Sequence, residues 1–256
     1  MSSAARRERI LELVKSHGYM SIDGLVAQFQ VTPQTLRGDL NRLADEGRLI
    51  RHHGGASLPS SVNNSAYALR RTEFAREKAL LAERLAAWLP DRCSLFMTPG
   101  TTMLAVAQAL RIRKGLKVIT NHLEAAQTLA AQPDIDVFVL GGHLEARNLS
   151  VSGTGTLNAV QQYRADLCLF SVGGIDPEGS LLEYHESEAD VVRLMLQRAR
   201  QRVLVVDHSK FGRTASVSIG AITDVSTIVT DQPLPPAMRK LLRGRAVQVL
   251  TPRPRR

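Results

Sequence analysis

From Cys93 to Asp231 the chain alternates short apolar runs with longer amphipathic stretches. The runs CSLFM (93–97), LKVIT (116–120), IDVFVL (135–140), DLCLF (166–170), RVLVVD (202–207) and TIVTD (227–231) are too short for buried helices and have the composition of buried strands. Near-continuous apolar strands separated by crossover helices imply a parallel sheet covered on both faces, so this half is expected to be α/β. Apolar residues make up 44% of the chain, yet no unbroken stretch approaches the roughly 20 residues that span a bilayer. The opening MSSAARRERI has no apolar core followed by a cleavage site, so a cytoplasmic protein away from membranes is expected. Cys93 and Cys168 both fall inside strand runs and read as reduced core thiols, offering neither a disulfide framework nor a metal ligand set.

Ligands of parallel α/β sheets sit beyond the carboxyl ends of the strands. After the first run come Thr98, Pro99, Gly100, Thr101 and Thr102, a glycine turn with two hydroxyls opening a helix, whose free N–H groups and dipole suit a phosphate. Asn121 follows the second run, Gly141 and Gly142 the third, Ser171, Gly173 and Gly174 the fourth, and His208, Ser209 and Lys210 the fifth. Any one of these could be a turn; their coincidence at five strand ends points to a pocket.

The first sixty residues follow another pattern. Ile10, Leu11, Leu13 and Val14 recur at helical spacing, predicting a helix over 5–17 that stops at Gly18. Ser21 reads as the N-cap of a short second helix with Ile22, Leu25, Val26 and Phe29 facing inward, and Gln30-Val31 as the turn. Thr32 caps the next helix, Pro33 stands at its first position, Leu36, Leu40 and Leu43 line one face, and Gly47 ends it. Two short helices joined by a tight turn present the second to a major groove, leaving Gln34, Thr35, Arg37 and Arg42 outward for bases and phosphates. The segment from Arg48 to Ala56 then reads as a short basic strand, a glycine turn and a return, a wing on which Arg51, His52 and His53 would follow the phosphate backbone. Adjacent strand histidines point to opposite faces, so His52 and His53 do not make a metal site.

The net charge is +9, but Arg239, Lys240, Arg243, Arg245, Arg253, Arg255 and Arg256 supply seven of those charges at the end of the chain, leaving +2 for the rest. That tail reads as a solvated end rather than as a principal DNA contact. The boundaries expected are a DNA-binding domain over 1–58, a small polar linker over 59–75 beginning PSSVNNS, and an effector-sensing domain over 76–252.

Residues 31–56, VTPQTLRGDLNRLADEGRLIRHHGGA, resemble the helix-turn-helix and wing of the DeoR family of bacterial regulators. The stretches 51–64, 174–190 and 205–213 extend the resemblance, most nearly to its glycerol-3-phosphate-responsive branch. It implies a winged helix-turn-helix followed by a parallel-sheet sensor domain similar to ribose-5-phosphate isomerase folds. The implied function is a repressor of a carbon-catabolism regulon that leaves double-stranded operator DNA when a phosphorylated metabolite, sn-glycerol 3-phosphate foremost, binds. Ser21, Thr32, Pro33, Gln34, Thr35, Arg37, Gly38, Arg42, Arg51 and His52 are then expected at DNA. The effector is expected at Gly100, Thr101, Thr102, Asn121, Gly141, Gly142, Gly173, Glu183 and Lys210, the phosphate at the first three with Lys210 closing on it. The resemblance implies no cofactor or metal, and two recognition helices one DNA turn apart call for a homo-oligomer, a dimer or tetramer. Two positions depart from the family: Gly38 stands where a second arginine is usual after Arg37, and Thr98 where an acid is common.

A sugar-phosphate isomerase-like enzyme with an appended helical domain is the alternative. Asp176, Glu183, His185, Glu186, Glu188, Asp207 and His208 are candidate acid–base groups, but carboxylates in a first helical turn commonly serve as dipole partners. No nucleophile elbow, phosphate-binding Walker loop or His-Glu-x-x-His occurs, and a metabolic isomerase has no use for a winged helix.

Overall fold

The computed structural model describes residues 2–17, 19–46, 48–52, 54–58 and 67–252. The expectations placed on Gly18, Gly47, His53, residues 59–66 of the linker and the last four residues of the basic tail lie outside these. The chain divides into two units, residues 1–73 and 74–256.

In the first unit the order is α1 (Ser3–His17), β1 (Tyr19–Ser21), α2 (Ile22–Phe29), α3 (Pro33–Asp45), β2 (Ile50–His52), β3 (Gly55–Ser57) and α4 (Tyr67–Thr72). Ser21 Oγ accepts from Gly24 N at 3.0 Å, and Thr32 Oγ1 accepts from Thr35 N at 3.2 Å, so both expected caps bond an otherwise orphaned N–H. Gln30 makes the turn in the left-handed region and donates its N–H to Val26 O. The helical stripes converge on one core of Ile10, Val14, Leu25, Leu36, Leu40 and Leu43, each fully buried. Asp39 is buried within α3, where its carboxylate meets Arg6 Nε at 2.6 Å and Arg7 Nη1 at 3.6 Å, pinning α1 across α3. The three strands pair antiparallel in the order β1-β3-β2. Gly55 pairs with Ser21 there, and a Cβ on it would lie 2.2 Å from Met20 O.

The second unit continues with α5 (Ala75–Trp88), β4 (Ser94–Met97), α6 (Thr101–Leu110), β5 (Leu116–Thr120), α7 (Leu123–Ala130), β6 (Ile135–Val139), β7 (His143–Glu145) and β8 (Ser150–Ser152). It then runs through α8 (Thr154–Gln161), β9 (Ala165–Phe170), β10 (Gly174–Ile175), β11 (Ser180–Glu183), α9 (Glu186–Arg198), β12 (Ala199–Val206), β13 (Val217–Ala221), β14 (Thr227–Thr230), α10 (Pro236–Leu241) and β15 (Gln248–Leu250). All six expected strands appear and join β15 in a parallel sheet of order β15-β14-β12-β9-β4-β5-β6. Strand alternation separates two cores. Leu95, Met97, Val118, Leu167, Leu169, Val203 and Val205 pack with Leu81, Leu85, Val106 and Leu129 of α5, α6 and α7. Phe96, Ile119, Cys168, Phe170, Leu204 and Val206 pack with Val160, Val192, Met195 and Met238 of α8, α9 and α10.

Not every part of this domain is parallel. β10, β11 and β13 form a small antiparallel sheet, and β7 and β8 an antiparallel hairpin. Chain order reverses at β4, since β5 and β6 lie on one side of it while β9, β12, β14 and β15 lie on the other. The crevice at the carboxyl ends of β4 and β9 is therefore the topological switch point at which such sheets bind ligands. No helix among the described residues is long and apolar enough to cross a membrane.

Candidate nucleic-acid interface and effector cradle

Burial of Leu36, Leu40 and Leu43 turns the opposite face of α3 outward, and Gln34, Thr35, Arg37, Gly38 and Arg42 are all exposed on it. Thr32 and Pro33 open that face, with Thr32 Oγ1 also 2.9 Å from Thr35 Oγ1. Ser21 is half-buried, its hydroxyl committed to the cap of α2. Arg42 Nε stands 3.3 Å from Glu46 Oε1, an exposed pair that a phosphate could displace at little expense. Arg48 is held back in a two-pronged pair with Glu8 at 2.7 and 2.9 Å, and this hydrogen-bonded guanidinium keeps the Glu8 carboxyl below its ordinary range. On β2, Arg51 is exposed and faces away from the unit.

His52 departs from expectation. Strand alternation turns it inward, opposite to Arg51, and it is buried. Its Nδ1 meets Glu73 Oε1 at 2.6 Å and its Nε2 lies 2.8 Å from Ser57 Oγ, so both ring nitrogens are engaged within the unit. A ring so held is turned away from solvent, which leaves Arg51 as the exposed cation of β2.

In the second unit, five consecutive strand ends carry nearly all of the expected effector residues: those after β12, β9, β4, β5 and β6. At β4 the backbone of Gly100 takes φ +121°, which a side chain disfavours, and a Cβ there would meet no atom within 4 Å. Thr101 and Thr102, both buried, open α6 behind it. One residue absent from the sequence reading completes this corner: Lys78 of α5, 6% exposed, donates from Nζ to Thr101 Oγ1 at 3.0 Å. Only its place in a helical stripe of Ala and Leu was visible in the sequence.

Asn121 is buried beside this corner, its Nδ2 donating to Val151 O at 2.8 Å and its Oδ1 without a partner among the described residues. Thr98 Oγ1 and Asp207 Oδ2 are likewise buried without one. Buried polar atoms are rarely left so, and these three have capacity for a further hydrogen bond. Lys210 stands in a short 3-10 turn after β12. Three expected positions also have structural duties. Gly142 is packed so that a Cβ would strike Thr156 Oγ1 at 2.2 Å, Gly173 lies against the Tyr184 ring, and Gly141 O accepts from Thr156 Oγ1 at 2.8 Å. Glu183 is half-buried at the end of β11, in the antiparallel sheet rather than at a parallel strand end. Among the acid–base candidates, Asp176 accepts from the Glu178 and Ser180 amides, and His208 Nδ1 stands 2.7 Å from Asp231 Oδ2.

Comparison with known proteins agrees with both halves. Residues 6–62 match the DeoR-like helix-turn-helix domain, and residues 73–232 match the DeoR C terminal sensor domain. The chain is 40% identical to the "Glycerol-3-phosphate regulon repressor" of Escherichia coli (strain K12), over 97% of this chain and 99% of that protein. It is 38% identical to the "HTH-type transcriptional repressor CsqR" of the same organism, over 96% of this chain and 95% of that one. Among solved structures, ribose 5 phosphate isomerase A from Neisseria gonorrhoeae is similar over 52% of each chain, at 14% identity and a TM-score of 0.39. The chain belongs to the DeoR family and is a DNA-binding transcriptional repressor rather than an enzyme.

Proposed function

We propose that the protein represses a carbon-catabolism regulon, that of glycerol and glycerol 3-phosphate, and that sn-glycerol 3-phosphate releases it from its operator. The regulon follows from the relative at 40% identity. The effector class is carried by one observation, the buried ammonium of Lys78 beside Thr101 at the free N–H groups of α6. An ammonium kept out of water stabilises an anion there far more than an exposed one could, and the helix dipole acts in the same direction. Phosphate bound at Gly100, Thr101 and Thr102 would leave the polyol to reach Asn121 on one side and the Lys210 turn on the other.

DNA is engaged by Gln34, Thr35, Arg37 and Arg42 of α3, with Arg51 on the wing. A cytoplasmic homo-oligomer, a dimer or tetramer, sets two recognition helices about one turn of DNA apart, roughly 34–36 Å. The effector binds best to a conformer whose spacing does not fit, and by reciprocity DNA weakens the effector. Titrating the protein–DNA complex with sn-glycerol 3-phosphate, fructose 6-phosphate and inorganic phosphate tests this. Release by the glycerol ester at the lowest concentration is expected. Occupancy that none of the three alters would overturn the sensing role, and indifference to duplex DNA would overturn the whole reading.

A further inference from the structure

The wing's inward histidine is the buried group that DNA recognition leaves unexplained. His52 and Glu73 are 4% and 7% exposed at their side chains, and their contact at 2.6 Å joins β2 to the residue that follows α4. The ring is fixed from three sides: Glu73 at Nδ1, Ser57 Oγ at Nε2, and Tyr19, whose ring centre is 5.8 Å away at a 58° tilt. Burial, and next the Glu73 charge, push the Tyr19 hydroxyl above its ordinary pKa, so this phenol stays neutral and packs as a wall.

A buried polar contact of this kind is a poor way to gain stability, because desolvation offsets most of the attraction and an apolar pair of the same volume would serve as well. What such a contact can supply, as buried polar groups do in some proteins, is a unique register between the elements it joins. Here those elements are the wing and the last segment of the N-terminal unit. His52 adjoins Arg51, the exposed wing cation, and Glu73 adjoins Phe74, the first residue of the sensor unit. Any rotation of β2 that swings Arg51 relative to DNA must move His52, and with it Glu73.

We propose that His52 and Glu73 form a latch that makes the placement of the wing on DNA and the placement of α4 a single equilibrium. His52 is thus a positioning residue for DNA binding, acting through Arg51 rather than touching DNA. The inference rests on the DNA-binding role and not on the identity of the effector.

Amide hydrogen exchange on the full chain tests it, using a duplex that the wild-type protein selects from a random pool. In the wild type, DNA should slow exchange in α3, in β2 and β3, and also in α4. In His52→Gln, and in the isosteric Glu73→Gln, DNA should still slow α3, while the slowing in α4 falls by roughly fivefold or more, the lower end of ordinary coupling. The double variant should lose no more than either single one. Should α4 ignore DNA in the wild type, or keep its full slowing in both variants, the latch does not exist. A loss of protection throughout the unit, equal with and without DNA, would make the pair merely structural and would also overturn it.

Discussion

Lys78 Nζ donates to Thr101 Oγ1 at 3.0 Å, fastening the first turns of α5 to the first residue of α6. A buried ammonium is costly to hold for packing alone, since it sacrifices most of its hydration. An anion arriving beside it would be stabilised more than by an ammonium in water. Lys78→Met keeps the stem and removes the charge. Affinity for sn-glycerol 3-phosphate should fall at least tenfold, about 1.4 kcal/mol, in a calorimetric titration. Unaltered affinity would remove Lys78 from the cradle.

Gly38 sits on the exposed face of α3, and a Cβ built on it meets no atom within 4 Å. Nothing in the unit requires a glycine there, so Gly38→Ala should stabilise the protein by about 0.5–1 kcal/mol through backbone entropy alone. Gly38→Arg should add a phosphate contact, tightening DNA binding and increasing the magnitude of the logarithmic salt slope by about 1. Affinity measured at several salt concentrations separates the effects. An arginine that stabilises the fold but leaves the slope unchanged would put position 38 away from DNA.

The two thiols should be inert at neutral pH. Burial first, and the Asp166 charge next, push Cys93 up to about 11, and burial pushes Cys168 higher still. An unfolded thiol ionises near ~8.5, so the folded state holds protons that the unfolded state releases. The associated stability is complete below that pH and is lost as pH rises toward 11. Iodoacetamide at pH 8 should label both cysteines quickly in urea and neither at a comparable rate in the folded protein. Rapid labelling of folded Cys93, which is only half-buried, would contradict its raised pKa.

The sequence was most legible where one periodicity dominated. The six strand runs are buried on both faces, and their apolar continuity left no competing reading. The caps Ser21 and Thr32 were legible because an N-cap needs a side-chain oxygen at one position. β1, β7, β8, β10 and β15 have two or three residues each, too few to show a period, so their partners and not their sequences make them strands. His52 misled because a basic residue on a short strand has two faces available, and the glutamate that claims it lies 21 positions away. Lys78 was hidden for a related reason: a lysine in a helical stripe reads as a solvated charge until the tertiary fold buries it. In the cradle, local turn chemistry revealed the glycine and hydroxyls, while the cation came from another element.

Gly54 and Gly55 look interchangeable in sequence but differ in the space around them. A Cβ on Gly54 would lie 3.6 Å from Tyr19 Oη, an ordinary contact, whereas one on Gly55 would lie 2.2 Å from Met20 O and 2.6 Å from Tyr19 Oη. The second position is where β3 passes closest to β1, and its neighbour in β2 is His52. Gly54→Ala should therefore change stability by less than about 0.5 kcal/mol and leave DNA affinity intact. Gly55→Ala must push β3 off β1, costing about 1–3 kcal/mol as overpacking does, and should displace Arg51 from its phosphates. Thermal midpoints and DNA affinities of the two variants, measured side by side, decide the matter. Equal behaviour would mean that the wing is not positioned by its approach to β1, whereas a loss confined to Gly55→Ala traces DNA affinity to backbone packing beneath the wing.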